Sequence, residues 1–97
     1  MMRPKATDSK EEAEVTALHA LGFLAADPER ISRFMDLSGL DPAAIRASAS
    51  DPAFLGAVLD HLLGDESLLL IFAEERALRP ERIAALRRKL PGAFSDF

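Results

Sequence analysis

Two histidines, sixteen carboxylates and a run of basic residues near the C-terminus are the groups in this 97-residue chain able to do chemistry. His19 and His61, the latter beside Asp60, raise metal ligation first. A structural zinc takes four nitrogen or sulfur ligands. The chain has no cysteine and only these two histidines, so neither ligand count nor spacing matches a known metal pattern. The absence of cysteine also excludes a disulfide frame and a thiol nucleophile. No metal or cofactor is expected, and both histidines are expected partly exposed.

General acid–base work is the second chemistry to weigh. Most carboxylates already have a structural role. Asp27, Asp41, Asp51 and Asp65 stand where helices begin and can cap them. Glu11, Glu12, Glu29 and Glu66 fall in first turns, where negative charge suits the helix dipole. No G-x-S-x-G elbow and no phosphate-cradling glycine pattern occurs. Six short helices also leave little room for a cavity of ~300 Å³ or more, the usual size of a small-molecule site. The expectation is a non-enzyme with no catalytic residue.

The basic run is the third feature. Residues 76–89 carry +5, against −8 for residues 1–75 and −1 for residues 90–97. A basic stripe can neutralise phosphates, so nucleic-acid binding is the alternative reading. The acidic remainder would repel a polyanion beyond the local contact. A helix-turn-helix built on residues 38–41 would offer Arg46 and otherwise mainly Ala and Ser, too little to read base edges. A protein–protein interaction or regulatory module is therefore the leading expectation. Its candidate partner-binding residues are Arg79, Arg82, Arg87, Arg88 and Lys89, with Phe94 and Phe97 beyond the Pro91-Gly92 stop. The partner is an unidentified protein or a second copy, in which Glu74 or Glu75 can meet Arg87 or Arg88 in trans.

The elements that must position these groups are helices. Seventeen Ala and fifteen Leu outweigh two Val, four Ile and two Thr, a composition that favours helix over strand. No stretch alternates apolar and polar residues long enough for a half-buried strand. The fold class is all-α: a compact bundle of five or six short helices.

Punctuation sets the boundaries. Ser9 with Glu12 three residues on forms a capping box for the first helix. Asp27-Pro28, Asp41-Pro42 and Asp51-Pro52 each restart the chain, Asp as cap and Pro at the first helical position. Gly39 and Gly64 are stops, Asp65 caps the fifth helix, and Arg79-Pro80 opens the sixth. The restarts lie 14 and 10 residues apart without matching segments, so no repeat architecture is present. The organisation is a mobile tail over residues 1–8, a single helical domain over 9–92 and a short tail over 93–97.

Apolar spacing predicts the packing. Val15, Leu18, Leu21 and Ala25 are the expected inner face of the first helix, and Gly22 the expected point of close approach by another helix. Phe54, Leu55, Val58, Leu59, Leu62 and Leu63 form an amphipathic stripe on the fourth. That helix has no Lys or Arg on its polar face, so core packing is favoured over a membrane surface. The run Leu68-Leu69-Leu70-Ile71-Phe72-Ala73 is apolar all round, too short to span a membrane, and is expected to be the central helix. The predicted core is Leu18, Leu21, Phe34, Phe54, Val58, Leu62, Leu69, Phe72, Ile83 and Leu86. With no apolar leader segment at its start, the chain is expected to be cytoplasmic, with no membrane association.

Three segments together resemble a known family: residues 22–30 (Gly22-Phe23-Leu24-Ala25-Ala26-Asp27-Pro28-Glu29-Arg30), Gly39-Leu40-Asp41-Pro42, and Phe54-Leu55-Gly56-Ala57-Val58-Leu59-Asp60. The family is one of small bacterial proteins known only as a domain of unknown function, noted for a Phe-Leu-Ala motif, here Phe23-Leu24-Ala25. The resemblance spans roughly residues 13–92. It implies a bacterial, cytoplasmic protein and carries over no activity, ligand or site residue.

Overall fold

The computed structural model describes residues 9–92, which hold six helices and no strand. In chain order these are α1 (Lys10–Ala25), α2 (Pro28–Ser38), α3 (Pro42–Ser48), α4 (Pro52–Leu63), α5 (Glu66–Arg76) and α6 (Pro80–Arg87). The tails expected over 1–8 and 93–97 lie outside the described residues, as do Phe94 and Phe97.

Side-chain oxygens start five of the helices. Ser9 accepts from the Glu12 amide at 3.2 Å, Asp41 from Ala44 at 2.8 Å, Asp51 from Ala53 at 3.0 Å and Asp65 from Leu68 at 3.2 Å. Asp27 accepts from both Glu29 and Arg30. Each cap satisfies an amide that the helix itself cannot. Proline follows the cap in α2, α3, α4 and α6. Arg79 precedes α6 and makes no side-chain cap. Gly39 closes α2 in the left-handed region, at φ 77°, where a Cβ would be strained.

The centre of the bundle is α4, not α5. Phe54, Leu55, Gly56, Val58, Leu59 and Leu62 are all buried, and α4 packs against α1, α5 and α6. Within α5 only Phe72 and Ala73 are buried. Leu70 is 48% exposed and Ile71 42% exposed, while Leu69 is half-buried. The expectation of a helix enclosed on all sides fails because α5 meets α4 and α6, and α1 through the Phe23–Phe72 contact, while Leu70 and Ile71 stay exposed. Apolarity round its circumference does not create partners for those two.

The inner face of α1 is also rotated from the expected one. Ala13, Thr16, Ala17, Ala20, Phe23 and Leu24 are buried, an i, i+3, i+4, i+7 series of mostly small residues. Small side chains let α1 lie close to α4. Leu18 is 44% exposed and Leu21 half-buried, so the predicted core loses Leu18 outright and keeps Leu21 and Leu69 only at its margin. Gly22 is not a close approach, since a Cβ there would meet nothing within 4 Å. The close approach lies at Gly56 on α4, whose Cβ would stand 2.8 Å from the Pro91 carbonyl oxygen and 2.9 Å from Arg87 Nη1.

Two aromatic contacts tie the layers. Phe23 of α1 meets Phe72 of α5 with ring centroids 5.3 Å apart, and Phe34 of α2 meets Phe54 of α4 at 6.1 Å. The Arg30 guanidinium lies 4.3 Å over the Phe23 ring, a cation–π contact from α2 to α1. Phe34 is the one buried residue of α2 and Ile45 the one buried residue of α3. α2 packs on α1 and, through Phe34, on α4, and Leu18 on α1 stays exposed beside it.

Candidate functional site

The basic C-terminal segment does not form one open face. Arg87 is buried, its side chain 3% exposed. Its Nε donates to Asp60 Oδ1 at 2.6 Å and its Nη2 to Asp60 Oδ2 at 3.1 Å, a two-pronged pair with α4. Its Nη1 donates to the carbonyl oxygens of Leu90 at 2.9 Å and Pro91 at 3.3 Å. The planar guanidinium satisfies both demands at once. Gly56 and Gly92 give it room, since a Cβ on either would lie within 2.9 Å of a guanidinium nitrogen. Arg87 therefore fastens the turn at Leu90 and Pro91 to α4, so this candidate partner-binding residue is buried, with its guanidinium engaged inside the fold.

Arg82 is also engaged: its Nη2 lies 2.6 Å from Glu12 Oε1, joining α6 to α1. Arg79, Arg88 and Lys89 are exposed. Arg88 and Lys89 lie beyond α6, in a turn closed by Arg88 N to Ala85 O and Lys89 N to Leu86 O, rather than in a last helical turn. The free cations at this end are thus fewer than the charge count suggested.

The histidines are far apart in role. His19 is exposed on α1. His61 is half-buried on α4, edge-on to Phe34 with ring centroids 5.1 Å apart. Burial lowers its pKa from the ordinary 6.5, Arg33 lowers it further, and Asp65 opposes the shift. Its Nε2 is buried with no hydrogen-bond partner among the described residues. Among the described residues no three His, Asp or Glu side chains converge as metal ligands.

An apolar concavity lies between α1, α2 and α3. Its floor and walls include Leu18, Leu21, Ile31, Met35 and Ile45, and it encloses about 560 Å³. The position follows from the packing above. The core takes the Ala13–Ala17–Ala20–Leu24 stripe, which turns Leu18, Leu21 and Gly22 toward the gap beside α2 and α3. Gly22 keeps the floor low. Arg46 of α3 is the single charged residue lining it. A volume of this size falls in the range that ligand sites occupy. Its lining among the described residues is apolar apart from Arg46, a set suited to holding apolar surface and one anion.

Sequence reasoning missed this groove, though a signal was present. Residues 13, 15, 17, 18, 20, 21, 23, 24 and 25 of the first helix are all apolar, which is more than one buried face can use. Such a helix has a second apolar face, and here it is the one left open.

A family model described as "Protein of unknown function (DUF3572)" matches residues 10–93. No curated protein and no solved structure matches the chain.

Proposed function

The chain belongs to the DUF3572 family of proteins of unknown function, and from that premise we propose that it is a non-enzymatic interaction module that docks an apolar segment of a partner protein in the α1–α2–α3 groove. The observation that carries the reading is Leu18. It is a large apolar side chain, 44% exposed, lying in an apolar concavity with Leu21, Ile31 and Met35. Leaving such a surface in water costs about 25 cal/mol per Å², which a docked partner recovers. The proposed setting is a bacterial cytoplasm. Among the described residues no helix is long and apolar enough to cross a membrane.

The basic end supports nucleic-acid binding less well, because Arg87 and Arg82 already hold Asp60 and Glu12. A polyanion would have to be held largely by Arg76, Arg79, Arg88 and Lys89, and no mobility shift is expected even at about 50 mM salt, where phosphate contacts are strong.

Leu18→Glu tests the docking reading, since an exposed position accepts a charge without unfolding. Wild-type protein should retain from an extract of its own cells a partner that Leu18→Glu loses and Arg88→Glu/Lys89→Glu keeps. Loss in the basic double variant alone would move the site to the C-terminal end. Failure to retain any protein, with a monomer in sedimentation, would remove the proposal.

A further inference from the structure

The groove has two properties that constrain its occupant: its walls are apolar, and it carries one charge. Leu18, Leu21, Ile31, Met35 and Ile45 offer no side-chain hydrogen bonds. An extended peptide laid on them would have to give up water at its backbone N–H and C=O groups with nothing in exchange. A helix satisfies those groups internally and can lie on such a floor at no cost in hydrogen bonds. The described residues also contain no strand, hence no sheet edge to recruit an extended segment. From Leu18 to Ala25 the floor runs about 10 Å at 1.5 Å per residue. That is two helical turns, the length that accepts anchors at i, i+4 and i+7 of an incoming helix. A small apolar ligand is normally enclosed over most of its surface and oriented by several converging polar groups. This groove has one such group and an exposed rim at Leu18.

That one group is Arg46. It is exposed in the last turn of α3. Arg30, Arg82 and Arg87 each have a ring or a carboxylate to hold, whereas no ion pair or hydrogen bond among the described residues engages Arg46. An unpaired guanidinium on the margin of an apolar groove favours a carboxylate on whatever lies in it.

We infer that the groove receives an amphipathic helix of a partner protein, with an acidic residue beside its apolar stripe that meets Arg46. The inference rests on the docking reading above and specifies its partner. The test uses three probes with the full chain: a 14-residue helical peptide with Leu at i, i+4 and i+7 and Glu one turn on, its twin with Lys for Glu, and decanoate. Amide shifts are followed at low salt. The Glu peptide should move the resonances of Leu18, Gly22, Ile31 and Arg46 and bind roughly 2–5-fold tighter than the Lys twin, the upper range an exposed ion pair supplies. Arg46→Glu, at an exposed position, should invert that preference. Equal binding of both peptides, both lost in Leu18→Glu, would overturn the acidic determinant while docking stands. Groove shifts with decanoate and with neither peptide would overturn the helical partner. If neither peptide binds and Leu18→Glu also retains every captured protein, the docking reading falls with it.

Discussion

A guanidinium kept from water needs a counter-charge and acceptors for its remaining donors. Arg87 has Asp60 for the first and the Leu90 and Pro91 carbonyls for the second. Asp60→Ala should therefore cost about 1–3 kcal/mol in chemical denaturation, the range for a buried group that loses its partner, because the Asp60 side of the pair is 35% exposed and open to water. Arg88→Ala, one residue on but exposed, should stay within about 0.5 kcal/mol. The distinction between these neighbours was legible in part: Ile83, Leu86 and Leu90 mark an inner face at helical spacing, and residue 87 falls four after Ile83 on that face. What spacing does not show is that Asp60 stands opposite, since the pair joins residues 27 apart in the chain. His61 gives a second prediction at this scale. Folding lowers its pKa through burial, with Arg33 adding and Asp65 opposing. The unfolded chain then binds more protons between the two values. The stability His61 contributes is full above about 6.5 and falls as pH drops through the folded-state value. Between about pH 7.5 and 5 the wild type should lose more thermal stability than His61→Gln, and equal losses would remove His61 from the account.

Helix starts were the most legible elements because capping is local. An Asp and the amides two or three residues on are set by the chain itself, and every Asp cap expected from the sequence makes its hydrogen bond. Helix ends carry less local information. α5 ends at Ala77, a non-glycine residue in the left-handed region at φ 56°. The Leu78 amide donates to Ala73 O at 2.9 Å and the Ala77 amide to Glu74 O at 3.2 Å, the paired bonds of a Schellman turn. Half-buried Leu78 is held against the core, so packing fixes the turn even though alanine disfavours it. Left-handed alanine costs about 1–2 kcal/mol, and glycine's greater unfolded-state freedom returns part of any gain. Ala77→Gly should stabilise the protein by about 0.5–1 kcal/mol and raise the thermal midpoint by a few degrees. A lowered midpoint would show that the alanine methyl group is itself packed.

Which helix sits at the centre is a property of the whole molecule, and local pattern misjudged it. Two helices were rich enough in apolar residues to be the hub. α4 concentrates them on faces that meet α1, α5 and α6, whereas α5 spreads them round a circumference that its neighbours cover only in part, leaving Leu70 and Ile71 exposed. Periodicity reports how many faces a helix can bury, and the topology decides how many it does. The consequence is measurable within one turn of α5. Phe72 is fully buried against Phe23. Phe72→Asp would place an unpaired charge in the core and should unfold a domain whose total stability is on the order of 5–10 kcal/mol. Leu70→Asp, two residues earlier, puts the same charge at a site already 48% exposed. It should shift stability by less than about 1 kcal/mol. If α5 were enclosed on every side, both variants would unfold alike, and circular dichroism of the pair separates the two architectures. Because Leu70 lies outside the groove lining, the same variant should also bind the acidic helical peptide as the wild type does, which separates the exposed face of α5 from the docking surface.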